Sequence, residues 1–170
     1  MSTIHFITGG QRSGKSTYAL NKALLLSSNP VYLATAKVWD EEFEKRIDRH
    51  KQERGEQWTN IEEQLYISNC DVNGRVVLLD CITLWLTNIY FLNNQDVDKS
   101  LDWAKNEWNK LVEKDVTLLV VSNEIGMSPI PDNALTRRFV DLQGWMNQYI
   151  AQKANQVTLM VSGIPVEIKK

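Results

Sequence analysis

The amino-acid sequence predicts an α/β fold, with a mainly parallel sheet and helices on both of its faces. Short segments rich in Val, Ile and Leu alternate with helical segments along most of the chain. Alternating strands and helices favour parallel pairing, because each helix crosses over one face of the sheet. The first strand and helix are joined by a glycine-rich loop with a phosphate-binding pattern. Residues 1–170 are therefore expected to form a single nucleotide-binding catalytic domain, a length that suits one hydrophobic core.

The first predicted elements frame the glycine loop. Ile4–Thr8 is a short apolar strand, and Lys15–Leu26 favours a helix. Val31–Thr35 is apolar throughout, which is typical of a strand buried on both faces. Asp40–Arg54 is highly charged and has apolar residues four apart, so it is predicted to be a helix with one narrow apolar stripe.

The second part of the chain continues the alternation. Gly55–Asn60 is predicted as a connection and Ile61–Ser68 as a short helix. The remaining predicted strands are Val76–Asp80, Val116–Ser122, Val157–Ser162 and a returning hairpin strand, Ile164–Ile168. The remaining predicted helices are Ile82–Leu92, Val97–Glu113 and Asn133–Ala154, the last after a loop containing glycine and proline.

Charge and cysteine content restrict the classes of partner. Nineteen Lys and Arg against 21 Asp and Glu leave a formal charge of −2, so no global field attracts nucleic acid or an acidic membrane. Cys70 and Cys81 form no CxxC pair, which favours a reducing compartment. No apolar run approaches the roughly 18 residues of a membrane span, and Met1 leads directly into a strand without a signal-peptide pattern. We expect a cytoplasmic protein with no membrane span and no nucleic-acid partner.

The glycine-rich loop is the clearest motif of the chain. It matches the pattern G-x-x-x-x-G-K-[ST] with Gly9, Gly10, Gln11, Arg12, Ser13, Gly14, Lys15 and Ser16. Such a loop turns successive backbone N–H groups inward, and the following helix adds its positive end. Lys15 is expected to reach the β- and γ-phosphates of a nucleoside triphosphate, and Ser16 to bind Mg²⁺. A simple connecting turn is the alternative, which the position between a predicted strand and helix disfavours.

Polar residues end three of the predicted strands. Asp80 ends an apolar strand where a phosphate-loop protein places its second carboxylate for Mg²⁺, although an aspartate at that position also caps helices. Thr35 also ends a predicted strand and Glu124 follows one, and ligands of open α/β sheets bind beyond the carboxyl ends of strands. Both are candidates for the same crevice, with a structural role as the alternative for Glu124.

His50 is a candidate nucleophile. Arg46 and Arg54 lie four residues before and after it, on the same face of a helix, and two further cations flank it. Neighbouring positive charges disfavour the imidazolium, so the neutral ring is available to attack phosphorus and form a phosphoramidate. A solvated charged helix face is the alternative, and the composition does not decide between them. His5, within the first strand, is expected to be structural.

Several motifs occur together in one order along the chain. They are Thr8–Ser16, Tyr32–Thr35, Arg46–Arg54 followed by Trp58, Leu79–Thr83, Thr87–Asn88, Ser122–Met127 and Val161–Ile164. With this ordered set, the chain resembles the bifunctional adenosylcobinamide kinase/adenosylcobinamide-phosphate guanylyltransferase family over nearly its full length. Two positions depart from the pattern. Asp80 stands where some members have a glutamate, which leaves the role of that carboxylate open, and Thr17 replaces a basic residue found in some relatives.

The resemblance implies an activity, substrates and a site. His50 matches the histidine that takes GMP, and the glycine loop binds GTP. Further nucleotide contacts are implied for Leu33, Ala34, Thr35, Lys51, Gln52, Glu53, Arg54, Glu62 and Asp80. The implied substrates are ATP or GTP with Mg²⁺, adenosylcobinamide and its phosphate. The implied fold is RecA-like, and the implied assembly is a homotrimer.

Two other functions remain as alternatives. One is a kinase of a different small alcohol, with His50 a surface residue. The other is a nucleotide-dependent switch or ATPase module that acts on a macromolecule, although the chain shows no basic, aromatic stripe of the kind that binds DNA.

Overall fold

The structure, a computed structural model, describes residues 1–37 and 54–170. Within these residues, seven strands form one sheet and four α-helices pack on it. The strands are β1 (Thr3–Gly9), β2 (Val31–Ala34), β3 (Thr59–Glu62), β4 (Val76–Asp80), β5 (Thr117–Asn123), β6 (Gln156–Val161) and β7 (Ile164–Lys169). The helices are α1 (Lys15–Leu26), α2 (Ile82–Leu92), α3 (Val97–Val112) and α4 (Ala134–Lys153). The helix predicted for Asp40–Arg54 lies outside the described residues, except for Arg54.

The sheet is parallel apart from one edge strand. Its order is β3-β2-β4-β5-β1-β6-β7, and β7 runs antiparallel to β6. The other neighbouring strands pair in parallel, so their carboxyl ends meet at one edge of the sheet. This arrangement confirms the predicted mainly parallel sheet and the returning hairpin strand. It also places the loop after β1 between the ends of β5 and β6.

Alternating residues of the strands supply two hydrophobic cores. Leu79 of β4 lies on the face covered by α2, α3 and α4, where Trp85 and Trp108 are fully buried. Leu78 lies on the opposite face, which α1 covers with Ala19. Full burial of a large apolar side chain contributes about 1.5–3 kcal/mol, so both faces stabilise the sheet. The predicted helices on both faces are confirmed.

One prediction is wrong, in the segment before β4. Ile61–Ser68 is not a helix, because β3 occupies its beginning and only a three-residue 3₁₀ turn, Ile67–Asn69, follows. Strand pairing with β2 decides the conformation of Thr59–Glu62. After the strand, the Glu63 carboxylate accepts hydrogen bonds of 2.8 Å from the N–H groups of Leu65 and Tyr66, which stabilise a turn instead of a helix.

The other described elements agree with the predictions to within one or two residues, and α1 and α2 have the predicted bounds. Asn133 caps α4, since its side chain accepts hydrogen bonds from the N–H groups of Leu135 and Thr136. Among the described helices, none combines the length and apolar character that crossing a membrane requires.

Candidate active site

The glycine loop lies at the carboxyl edge of the sheet, between β1 and α1. At two positions of the loop, neighbouring atoms lie too close for a residue with a Cβ atom. A Cβ atom on Gly9 would lie 2.6 Å from the Met160 carbonyl oxygen and 2.7 Å from Ser13 Oγ. Gly14 has a φ of 92° and caps α1, and a Cβ there would lie 3.1 Å from the Cα of Gly163. The loop is therefore packed tightly against its neighbours.

Lys15 projects back into the loop that precedes it. Its Nζ donates hydrogen bonds to the Gly10 carbonyl oxygen at 2.6 Å and to Ser13 Oγ at 3.4 Å. Burial lowers the pKa of Lys15, while the neighbouring Cys81 and Asp80 act in the opposite direction. A buried ammonium whose partners are neutral gains most from an anion, so the centre of this loop favours a phosphate.

Two neighbouring segments hold the loop in place. The N–H of Glu124, just after β5, donates to the Gly9 carbonyl oxygen at 2.9 Å. The N–H of Gly163 donates to the Ser13 carbonyl oxygen, also at 2.9 Å. Gly163 lies in the tight β6–β7 turn, where Ser162 and Gly163 have φ values of 50° and 82°. The Ser-Gly pair between two strands predicts the turn itself, but no sequence pattern predicted its contact with the glycine loop.

Asp80 ends β4 beside Ala34, and a neighbouring strand holds its side chain. The phenol of Tyr32 on β2 donates a hydrogen bond to Asp80 Oδ2. Burial and the Asp80 carboxylate raise the pKa of Tyr32 above its usual range, so the phenol remains a donor. The Arg54 guanidinium carbon lies 3.5 Å from the centroid of the Tyr32 ring, and Trp58 meets the same ring edge-on at 6.1 Å. The sequence reasoning missed this role of Tyr32.

Thr35 ties the end of β2 to the turn after β4. Its Oγ1 accepts a hydrogen bond from the Cys81 N–H at 2.9 Å and donates one to the Cys81 carbonyl oxygen at 2.8 Å. The Asn88 side chain donates to the Thr35 carbonyl oxygen at 2.8 Å. The peptide bond between Asp80 and Cys81 is cis. The structure thus places the fully buried Thr35 side chain behind Asp80, where it supports the turn.

The other predicted residues differ in exposure. Leu33 is fully buried in the core, whereas Ala34 is half-buried beside Asp80. Glu62 is exposed at the end of β3, directly opposite Ala34. Glu124 folds back onto its own loop, since its Oε1 accepts a hydrogen bond of 3.0 Å from the Gly126 N–H.

The structure does not describe four of the predicted site residues. They are His50, Lys51, Gln52 and Glu53.

Within the described ranges, no three His, Cys, Asp or Glu side chains are grouped to hold a metal ion. Mg²⁺ at a nucleotide site needs no such group, because one or two protein oxygens and the phosphates suffice. Ser16, in the first turn of α1, and Asp80 supply oxygens of that kind.

Comparison with known proteins identifies relatives over nearly the whole chain. Residues 5–168 match the family described as CobU, cobinamide kinase / cobinamide phosphate guanyltransferase. The bifunctional adenosylcobalamin biosynthesis protein CobU of Escherichia coli is 37% identical, with 96% of this chain and 98% of that protein covered. The corresponding protein CobP of Pseudomonas aeruginosa is also 37% identical, with 96% and 95% covered. Among solved structures, the flagellar accessory protein FlaH of Methanocaldococcus jannaschii aligns with 98% of this chain and 78% of its own at 15% identity and a TM-score of 0.46.

Proposed function

The chain belongs to the cobinamide kinase / cobinamide phosphate guanyltransferase family, and we propose that it phosphorylates adenosylcobinamide and then transfers GMP to the new phosphate. The products would be adenosylcobinamide phosphate and then adenosylcobinamide-GDP. The strongest support from the geometry is Lys15, whose buried ammonium lies at the centre of a loop held by two neighbouring segments. That arrangement is suited to the triphosphate that both half-reactions consume.

In the kinase step, the hydroxyl oxygen of the corrinoid side chain attacks the γ-phosphorus of ATP or GTP and its proton passes to solvent. The bond from that phosphorus to the β–γ bridging oxygen breaks, and ADP or GDP leaves. Lys15 and the backbone N–H groups of the loop stabilise the charge on the transferred phosphoryl group and on the leaving diphosphate. Mg²⁺, when bound by Ser16 and Asp80, would neutralise part of the phosphate charge.

In the transferase step, a ring nitrogen of His50 attacks the α-phosphorus of GTP and pyrophosphate leaves. A phosphate oxygen of adenosylcobinamide phosphate then attacks the same phosphorus and releases the ring nitrogen. The covalent intermediate divides one transfer into two easier ones. The assignment of His50 depends on its sequence context and on the family resemblance, because it lies outside the described residues.

The nucleotide site would extend from the glycine loop, Gly9–Ser16, to the ends of β2, β3 and β4. The contacts proposed for Leu33, Ala34 and Thr35 come from the resemblance, since the side chains of Leu33 and Thr35 are buried. Arg54, Glu62 and Asp80 would contribute side chains, with Lys51, Gln52 and Glu53 as further contacts proposed from the resemblance. The same resemblance supports a homotrimer of single-domain chains, and the use of ATP and GTP supports a cytoplasmic location.

The intact mass of the protein after incubation with GTP and Mg²⁺ tests the proposal. We expect a GMP-sized, acid-labile increase in the wild type that is absent from His50→Ala. The chain has two histidines, so His5→Gln is the matched control and should keep the adduct. His50→Ala should still phosphorylate adenosylcobinamide. A wild type that forms no adduct but phosphorylates the corrinoid would instead be a plain kinase.

A further inference from the structure

The segment 124–133, between β5 and α4, starts beside the glycine loop and exposes large apolar side chains. Met127 and Ile130 are 81% and 82% exposed. The segment begins at the glycine loop, because the Glu124 N–H donates to the Gly9 carbonyl oxygen. Exposed apolar groups at the edge of a site mark a surface for a ligand or partner. The nucleotide chemistry described above uses neither Met127 nor Ile130.

The segment has a defined shape. Arg137 Nη1 donates hydrogen bonds of 2.8 and 2.6 Å to the carbonyl oxygens of Pro131 and Asp132. Ser128 Oγ donates to the Ile125 carbonyl oxygen at 2.7 Å. These bonds hold the segment against α4, so its apolar side chains are presented by a preformed backbone. Preorganisation of this kind lowers the entropy lost on binding.

A pocket of about 220 Å³ lies between the segment and α4. Its apolar lining includes Ile125, Ile130 and Val140, and its polar lining includes Ser128 and Asp141. Arg137 also lines the pocket, which therefore combines apolar side chains with a cation, a carboxylate and a hydroxyl. A neutral carboxamide both donates and accepts hydrogen bonds, so it can pair with groups of each kind. A triphosphate, by contrast, would be held by N–H groups and Lys15.

We propose that this surface, formed by segment 124–133 and the first turns of α4, binds the corrinoid acceptor. The proposal rests on the proposed function, since the acceptor hydroxyl must reach a phosphate held by the glycine loop. The body of the acceptor then lies beyond the carboxyl edge of the sheet, where this surface begins. A corrinoid carries methyl groups and neutral carboxamides on its rim. The methyl groups would pack on Met127 and Ile130, and one carboxamide would enter the pocket and bind Ser128 or Asp141.

Steady-state kinetics of Met127→Ser, Ile130→Ser and the double variant tests the proposal. We expect the KM for adenosylcobinamide to rise about tenfold in each single variant and further in the double variant. The KM and equilibrium affinity for GTP should stay at the wild-type values. Leu25→Ser is the matched control, because Leu25 is 83% exposed but lies in the last turn of α1, at the opposite edge of the sheet. It should leave both KM values unchanged.

Equilibrium dialysis of adenosylcobinamide against the double variant, followed by visible absorbance, separates binding from turnover and should show the same loss. A wild-type corrinoid KM in the double variant would overturn the proposed surface and leave the proposed function intact. A rise in both KM values together with a changed oligomeric mass would also overturn it, because the surface would then be a contact between copies of the chain. A wild type that does not phosphorylate adenosylcobinamide would refute the proposed function as well.

Discussion

Tyr32 donates a hydrogen bond from its phenol to Oδ2 of Asp80, across the pairing of β2 with β4. The Tyr32 ring is itself held between the Arg54 guanidinium and the edge of Trp58. Three residues from two parts of the chain therefore fix the orientation of one carboxylate at the carboxyl edge of the sheet. A carboxylate fixed before Mg²⁺ binds loses less entropy on binding.

Tyr32→Phe should raise the Mg²⁺ concentration needed for half-maximal kinase rate by roughly threefold to tenfold. The ring packing remains, but the donor to a charged partner is lost, which should also lower the free energy of unfolding by about 1.5 kcal/mol. Mg²⁺ titrations of the rate and urea denaturation measure the two effects. Tyr66→Phe is the control, because the Tyr66 ring is exposed and takes no part in the hydrogen bond between Tyr32 and Asp80. If the Mg²⁺ requirement stays constant, the hydrogen bond does not position the carboxylate.

Lys15→Met should abolish most of the kinase activity without destabilising the fold. Loss of one preorganised charge from such a site lowers kcat by about 10²–10³-fold. Burial lowers the pKa of Lys15, which means that the charged form of this side chain destabilises the folded state. The free energy of unfolding should therefore be equal to or higher than that of the wild type, as measured by urea denaturation. Full phosphorylation by the variant would rule out the assigned role of Lys15.

Gly14→Ala should weaken GTP binding by about tenfold or more. The new Cβ would lie 3.1 Å from Gly163, and the φ of 92° is unfavourable for alanine, so the loop must shift. A fluorescent GTP analogue measures the affinity. Gly144→Ala, within α4 and with open space around its Cβ, is the matched control and should raise stability by about 0.5–1 kcal/mol. Equal GTP affinities in the two variants would contradict the tight packing of the loop.

His5 should make the folded protein less stable in acid. Its Nε2 lies 2.8 Å from Thr158 Oγ1 within the sheet, and burial lowers its pKa from 6.5 to about 4. Between these values the unfolded chain binds more protons, so this contribution is complete above pH 6.5 and is lost as the pH falls towards 4. The loss amounts to about 3 kcal/mol. Urea denaturation from pH 7 to pH 4 gives the free energy of unfolding at each pH, which should fall less steeply for His5→Gln than for the wild type. Equal slopes for the two proteins would exclude His5 as the cause.

Local patterns were sufficient to predict most of the fold. Val76–Asp80 and Ile82–Leu92 have the same bounds in the structure, because buried strands and helices carry strong apolar patterns. Thr59–Glu62 was missed, since its four residues are a strand only through pairing with β2. A single short edge strand has too little pattern to be recognised without its partner.

The candidate site, like the fold, could be predicted from the sequence only in part. The glycine loop could be recognised from the chain alone, because its eight residues are consecutive and their spacing is set by the phosphate that they surround. The Tyr32–Asp80 hydrogen bond joins residues 48 positions apart, and the contact of the β6–β7 turn with Ser13 joins two separate loops. Such contacts follow from strand order and register, which long-range packing establishes. Residue identity therefore predicts the groups available for chemistry, and the packing of the sheet selects which of them meet.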